Sequence, residues 1–290
     1  MEKTIRALTV AFYSVFILLI GYITLASLVA DFSPLTLITL LLFLPGIYFI
    51  RRAIFKHDAF MLKHYKKLLF FFAAFMFILQ IIFGCILRFN PVFDMDAIYG
   101  GAIEWVETGT FASYYDYYYY FPNNLGGMSL LYIFFKLASY LGISDFFTVG
   151  LIVNSILSVC AMLICSLTAK ELGGAKHAVF ILAFFLYFIA PAFYTDSLSL
   201  IFPILIIYLA LRLRRAVQPW QTAVFSVLIG LTASIGMMIK STVIITLLAV
   251  IICLLMNKKL LKALVCCLCS ACVIIISLTA FNSYFASRHL

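Results

Sequence analysis

Charged side chains are scarce in this sequence. Asp, Glu, Lys and Arg together make up 11% of its 290 residues, whereas soluble domains usually carry about 25%. Hydrophobic residues account for 66% of the chain, which is more apolar surface than one globular core can bury. Lipid must therefore be the solvent for much of the molecule, and a soluble globular domain is excluded.

Short alternating segments are also missing. A transmembrane barrel needs strands of about 10 residues in which apolar and polar residues alternate, but the apolar residues here form long unbroken runs. These runs predict an all-α, polytopic membrane protein in which residues 1–290 form a single transmembrane domain. The first run, residues 7–30, is too long for a signal-peptide core and is predicted to be a retained span.

Long basic stretches are absent, although the net charge is +9. The lysines and arginines lie in short clusters between apolar runs, a distribution that orients helices in a membrane. We therefore expect membrane lipid, and not nucleic acid, to be the partner of these charges.

Histidine is absent near the cysteine-rich segment CCLCSAC, residues 266–272. This segment contains two C-x-x-C spacings, which are typical of zinc sites. It lies in the middle of an apolar run, however, where small cysteines pack between helices. We therefore interpret these cysteines as packing residues and not as metal ligands.

The basic residues also indicate how many runs cross the membrane. If all ten apolar runs cross, ten basic residues lie inside and nine outside. If the run 127–143 does not cross, 16 lie inside and four outside, which is the excess that the positive-inside rule expects. We therefore predict about nine spans. They are residues 7–30, 34–50, 68–87, 147–169, 177–192, 197–211, 219–239, 241–256 and 263–282.

In this arrangement residues 88–146 form a long extracytoplasmic loop in a multi-pass cell-membrane protein. The N-terminus is cytoplasmic, the C-terminus is extracytoplasmic, and residues 127–143 form an interfacial helix within the loop. Loops that a rigid scaffold positions often carry functional residues. The functional site is therefore predicted on the outer side.

The first candidate segment of the loop is NPVFDMDAIYGGAIEWVETGTF, residues 90–111. It predicts a helix that begins at Asp94 and ends near Gly109, a residue type that commonly follows a helix. Asp94 is either an N-cap, with Asp96 complementing the helix dipole, or a general base that accepts a proton from an attacking hydroxyl. The two roles are compatible.

The second candidate segment is YYDYYYYFPNN, residues 114–124. Tyrosine rings anchor loops at membrane interfaces, and the same rings can form a platform for a sugar or for isoprene units. The candidate substrate-binding residues in this segment are Asp116, Tyr120, Asn123 and Asn124.

Two later segments fall on the same predicted side. In FYTDSLSL, Thr195 or Asp196 caps the next span, or Asp196 binds substrate. In MIKSTVII, Lys240 is either a snorkelling interfacial lysine or a ligand for a lipid phosphate. Arg88 is a second candidate for the phosphate.

Taken in order, these segments resemble the bacterial GT-C glycosyltransferases, especially the protein-O-mannosyltransferase and lipid A aminoarabinose-transferase group. The acidic motif is matched by FDMDAIYGGA, although the family has two adjacent acids where this chain has Asp-Met-Asp. A tyrosine-proline element before an interfacial helix is matched by YYFPNNLGGMSLLYIFFKL, and two later outer turns by YTDSLSL and KSTVII. The resemblance covers roughly residues 68–256. Because relatives usually continue beyond the point where this chain ends, we expect a truncated or shortened member.

This resemblance implies a membrane glycosyltransferase with an inverting mechanism. A sugar would pass from a polyprenyl-phosphate-linked donor to an acceptor on the extracytoplasmic face, with Asp94 or Asp96 as the general base. Tyr99 and Asp196 would bind substrate, and Lys240 or Arg88 the lipid phosphate. A divalent metal is compatible with such chemistry, but no ligand cluster in the sequence requires one.

Two other functions stay open at this point. One is a non-catalytic GT-C-like partner of a larger assembly, whose protein partner the sequence does not identify. The other is a lipid or sugar transporter, although transporters usually place ionisable residues inside their spans, and here the charges lie at the ends of the runs.

Overall fold

The computed structural model describes residues 34–186 and 192–286, together with isolated helical positions between residues 6 and 26. Every regular element in this part of the chain is a helix, so the all-α prediction is confirmed there. The predicted span 7–30 falls mostly outside the described residues, as do the end of the predicted span 177–192 and the last four residues of the chain. The helices are α1 Pro34–Lys56, α2 Asp58–Ile86, α3 Asp94–Thr108, α4 Tyr115–Tyr120, α5 Leu125–Tyr140, α6 Phe146–Gly173, α7 Ala175–Phe185, α8 Thr195–Ser199, α9 Ile201–Arg215, α10 Pro219–Ile239, α11 Ile244–Met256 and α12 Leu260–Ala286.

The chain divides into two compact units, Met1–Lys56 and His57–Leu290. The first contains α1, in which the Arg51 guanidinium lies 4.7 Å from the ring centroid of Phe55. The second contains α2 and every later helix, and it holds all the residues discussed below.

Five helical segments are long and apolar enough to cross a membrane, judged by length and composition in the described part of the chain. They are α2, α6, the continuous segment Thr195–Arg215, α10 and α12. The helix α7 and the segment Ser241–Met256 are apolar but shorter. The protein is therefore a polytopic helical membrane protein, and the nine-span arrangement stays a prediction.

Glycines allow close helix contacts at two crossings. A Cβ atom on Gly84 of α2 would overlap the side chain of Leu151 in α6. A Cβ atom on Gly126 of α5 would overlap the backbone carbonyl of Met238 in α10. Helices in lipid associate through such van der Waals packing, because lipid tails are as apolar as the side chains. The second crossing fixes the end of α10 against the long loop.

The long loop between α2 and α6 is built on α3 and α5. The helix α3 begins at Asp94 and is followed by Gly109 with φ +80°, so the predicted start and end of this helix are confirmed. The 16 residues of α5 rise about 24 Å, which is less than the ~30 Å hydrocarbon core of a membrane. That length is compatible with the interfacial helix predicted over residues 127–143. Fully buried residues of the α3–α5 contact are Ile98, Ala102, Met128, Leu131 and Phe135.

Candidate functional site

Asp94 is the first residue of α3, but it does not cap that helix. The N-cap position belongs to Phe93, which has φ +54° and makes no side-chain capping bond. The N-cap interpretation of Asp94 is therefore wrong. Its carboxylate instead bonds to a residue far away in the sequence: the Tyr194 hydroxyl donates a hydrogen bond of 2.7 Å to Asp94 Oδ2.

A second tyrosine approaches the same carboxylate. Tyr117, in α4, lies near the Asp94 carboxylate, and the Asn124 side-chain amide donates to the Tyr117 hydroxyl. Burial and then the nearby Asp94 carboxylate raise the pKa of Tyr117 far above its usual value. The bond to Asp94 and then burial raise the pKa of Tyr194 to about 12. Both phenols therefore stay protonated at neutral pH, and the Tyr194 hydroxyl donates to the Asp94 carboxylate.

An ion pair lies next to Tyr194. Lys240 Nζ is 3.0 Å from Asp196 Oδ2 and 5.4 Å from the ring centroid of Tyr194. Lys240 takes this position because α10 ends at Ile239 and the chain becomes extended, with φ −149° and ψ 111° at Lys240. The helix α8 begins at Thr195 after Tyr194, without a side-chain cap, so the capping interpretation of Thr195 or Asp196 is wrong.

These contacts join segments that are far apart in the sequence. Tyr194 is 100 residues from Asp94, and Lys240 is 44 residues from Asp196. We call the resulting group the Asp94 cluster. Its members are Asp94, Tyr117, Asn124, Tyr194, Asp196 and Lys240.

Other predicted site residues lie apart from these contacts. Asp96 is exposed and faces Tyr114, whose pKa is raised by burial and then by the Asp96 charge. Asn123 lies at the edge of the cluster, since its side-chain amide donates to Asn124 Oδ1 at 3.1 Å. Asp116 is exposed, and Tyr120 is 74% exposed.

Tyr99 and Arg88 belong to the packing around Phe147. Tyr99 is partly buried and contacts Phe147 edge-to-face, with ring centroids 6.3 Å apart. Arg88 makes two hydrogen bonds to Asp145, of 2.9 and 3.2 Å, and its guanidinium lies 4.9 Å from the centroid of the Phe147 ring. Hydrogen bonds from Thr148 and then from Arg88 lower the pKa of Asp145. The structure thus places Arg88 in an ion pair outside the Asp94 cluster.

Some residues that contact the predicted site residues could have been found from the sequence, and others could not. Asp145 precedes Thr148 by three residues and accepts a hydrogen bond from its backbone N–H, which is the N-cap pattern. Tyr117 and Tyr194 have no such signal, because neither residue type nor spacing separates them from the neighbouring tyrosines.

Metal ligands and cysteines do not add to this site. In residues 34–186 and 192–286, no group of three or more His, Cys, Asp or Glu side chains is arranged to hold a metal ion. All eight cysteines lie in this part of the chain and are free thiols. Cys266 is fully buried and packs against Ala263 and residues of α9 to α11, as expected of a packing residue.

Comparison with known proteins defines the family of the chain. No curated protein and no solved structure matches it. A family model described as "Conserved hypothetical integral membrane protein" matches residues 4–290, which is nearly the whole chain. The protein belongs to this family of integral membrane proteins.

Proposed function

We propose that this protein is a membrane glycosyltransferase that acts on the extracytoplasmic face with a polyprenyl-phosphate-linked sugar donor. The observation that carries the proposal is the Asp94 cluster. The Asp94 carboxylate accepts a hydrogen bond from Tyr194, and the ring of Tyr194 faces the Lys240 ammonium. The sequence predicts the segments that carry these residues on one side of the membrane. A base and a cation are the two groups that such a transfer needs.

In the proposed mechanism Asp94 accepts the proton of an acceptor hydroxyl. The hydroxyl oxygen forms a bond to the anomeric carbon, and the bond from that carbon to the donor phosphate oxygen breaks with inversion. The lipid phosphate leaves as an anion beside the Lys240 ammonium. Tyr194 is a positioning residue, since its hydrogen bond holds the Asp94 carboxylate in place, and Tyr117 lies near the same carboxylate. Asp196 holds Lys240, and Asp96 is the second candidate for the base.

The orientation of the loop is part of the proposal and can be tested by labelling. A cysteine introduced at Ser113, which is exposed after α3, is expected to react with a membrane-impermeant maleimide in intact cells. A cysteine at Val217, which is 86% exposed between α9 and α10, is expected to react only after permeabilisation. The unmodified protein corrects for native thiols. Reaction at position 217 in intact cells would contradict the orientation.

Lys240→Gln tests the phosphate contact. Loss of one charged hydrogen-bonding partner costs about 1.5–3 kcal/mol, so kcat/KM for the lipid-linked donor is expected to fall about 10- to 100-fold. The control is Lys136→Gln, because Lys136 donates to the Val106 carbonyl in another part of the loop. Equal losses in both variants would indicate general attraction of an anionic donor and would remove Lys240 from the phosphate site.

A further inference from the structure

A concave site lies between α4 and the C-terminal end of α12. Its cavity volume is about 580 Å³, within the range of about 300–1,000 Å³ that is common for small-molecule sites. Because α12 is a candidate membrane span, the groove opens at the end of a span. The residues that define it here are Tyr115, Asp116, Tyr118, Tyr119, Asn282 and Phe285, and we call it the tyrosine groove.

The helix α4 separates the tyrosine groove from the Asp94 cluster. Tyr117 lies near Asp94, whereas Asp116 and Tyr119 line the groove. Asp116 and Tyr119 are three residues apart and therefore lie on one face of the helix. Tyr118 connects the helix to α3, since its hydroxyl donates to the Ala97 carbonyl at 2.9 Å. One short helix thus presents two chemically different faces.

The groove combines a fixed aromatic floor with an accessible rim. Tyr118 and Phe285 are only 2% and 4% exposed, while Tyr119 is 80% exposed. Asp116 and Asn282 line the groove together with these rings, and both residues are exposed. The rings offer faces that attract positively polarised C–H groups, and the two polar side chains offer hydrogen-bonding groups.

A different groove in the same molecule has no polar side chains in its lining. It has a similar volume, about 580 Å³, and only aliphatic and cysteine side chains line it, among them Ile251, Leu255 and Leu264. The tyrosine groove differs by its tyrosines, its carboxylate and its amide. An acyl chain would leave these polar groups without partners, which costs free energy.

We infer that the tyrosine groove binds a carbohydrate ring. The C–H face of the ring lies against Tyr119, and its hydroxyl groups donate to Asp116 and exchange hydrogen bonds with Asn282. The further statement that this ring belongs to the acceptor of sugar transfer rests on the proposed function. Carbohydrate binding itself does not, because it requires no reaction.

Saturation-transfer NMR tests the inference directly. The full-length protein is prepared in a detergent without a sugar head group, and its aromatic protons are irradiated. The probes are four disaccharides, built from glucose, galactose, mannose or N-acetylglucosamine, and 1-decanol as an apolar probe. We expect saturation of the C–H protons of at least one disaccharide. Transfer to none of the four, or to decanol alone, would overturn the inference.

Three variants locate the binding. Tyr119→Ala is expected to weaken disaccharide affinity at least about tenfold, and Tyr119→Phe to change it less than about twofold, because the ring is retained. Asp116→Asn should also weaken it about tenfold, since bonds to charged groups are the stronger ones. Tyr140→Ala is the control, because Tyr140 is similarly exposed and does not line the groove. Unchanged affinity in Tyr119→Ala would overturn the assignment.

Asp94→Asn distinguishes failure of this inference from failure of the proposed function. Asp94 does not line the tyrosine groove, so this variant is expected to bind the disaccharide with wild-type affinity. If the protein binds a disaccharide but transfers no sugar, the carbohydrate site is retained and the glycosyltransferase proposal is overturned. If the protein transfers sugar but none of the four disaccharides is saturated in the NMR experiment, the glycosyltransferase proposal is retained and the carbohydrate site is overturned.

Discussion

Asp94→Asn is expected to lower the rate of sugar transfer about 10²- to 10⁴-fold, the usual contribution of a general base. Asparagine keeps the shape of the side chain and one oxygen that can accept from Tyr194, but it cannot take up the proton of the attacking hydroxyl. Polyprenyl-phosphate donors carrying different radiolabelled sugars are the substrates. Thermal unfolding in detergent shows whether the variant is folded, which the partly exposed position of Asp94 favours.

Asp96→Asn is the matched control, because Asp96 lies in the same first turn of α3 and is exposed. We expect it to retain transfer within about threefold, because a surface carboxylate contributes little to catalysis unless it contacts the reacting atoms. Full activity of Asp94→Asn with a large loss in Asp96→Asn would make Asp96 the base.

Tyr194→Phe separates positioning from proton transfer. The ring that faces Lys240 is retained, while the 2.7 Å hydrogen bond to Asp94 is lost. We expect the rate of sugar transfer to fall about tenfold, which corresponds to one hydrogen bond to a charged group. Transfer at the wild-type rate would contradict this role of Tyr194.

Inactivity of the unmodified protein would favour one of the other functions. If no donor is used and an active enzyme co-purifies with the chain, the protein is a non-catalytic partner. If a labelled lipid-linked sugar crosses the membrane of vesicles that contain the protein, and is not transferred to an acceptor, the protein is a transporter. Each outcome is distinct from a failed substitution, because it is measured on the wild-type protein.

The helical class could be predicted from the sequence because it depends on local composition. Long apolar runs can satisfy their backbone only as helices in lipid, and the end of α3 followed from the turn preference of Gly109. Local composition does not set the boundaries of individual spans, because a helix such as α7 is apolar but has only 11 residues. Length alone does not decide whether such a helix crosses.

The cap predictions at Asp94 and Asp196 were wrong for a physical reason. Capping rules consider only hydrogen bonds within the first helical turn, whereas these carboxylates bond to Tyr194 and Lys240. Partners that distant come together only when the helices pack. The sequence therefore indicated the acidic and basic members of the Asp94 cluster, which are Asp94, Asp196 and Lys240, but not the tyrosines that connect them.

The roles of the individual tyrosines in residues 114–120 could not be predicted from the sequence either. As a composition, six tyrosines predict an interfacial anchor. In the structure five of them fall on different faces of α4, so that Tyr118 is 2% exposed and Tyr119 is 80% exposed. Their roles depend on which face meets α3, and that contact is not visible in the residue types.

Gly126→Ala is expected to destabilise the protein by about 3 kcal/mol or more, at the upper end of the usual cost of overpacking. The added methyl group would overlap the Met238 carbonyl, and it would lie 2.8 Å from the Ile239 backbone nitrogen. Backbone atoms inside a helix cannot rotate away, so α5 and α10 must separate. Alanine favours a helix over glycine by about 1 kcal/mol, which offsets only part of this cost. The melting temperature in detergent should fall by roughly 6–12 °C.

Gly127→Ala is the control, because it makes the same chemical change one position further along α5. Its methyl group would lie 3.1 Å from the Cγ2 atom of Thr195, a side-chain atom that needs to move only a few tenths of an ångström. We expect a much smaller decrease in melting temperature. Since Ile239 directly precedes Lys240, separation of α5 from α10 should also displace the lysine from the cluster. Gly126→Ala molecules that remain folded should therefore lose donor affinity, whereas equal stability of the two variants would contradict the backbone contact that fixes the end of α10.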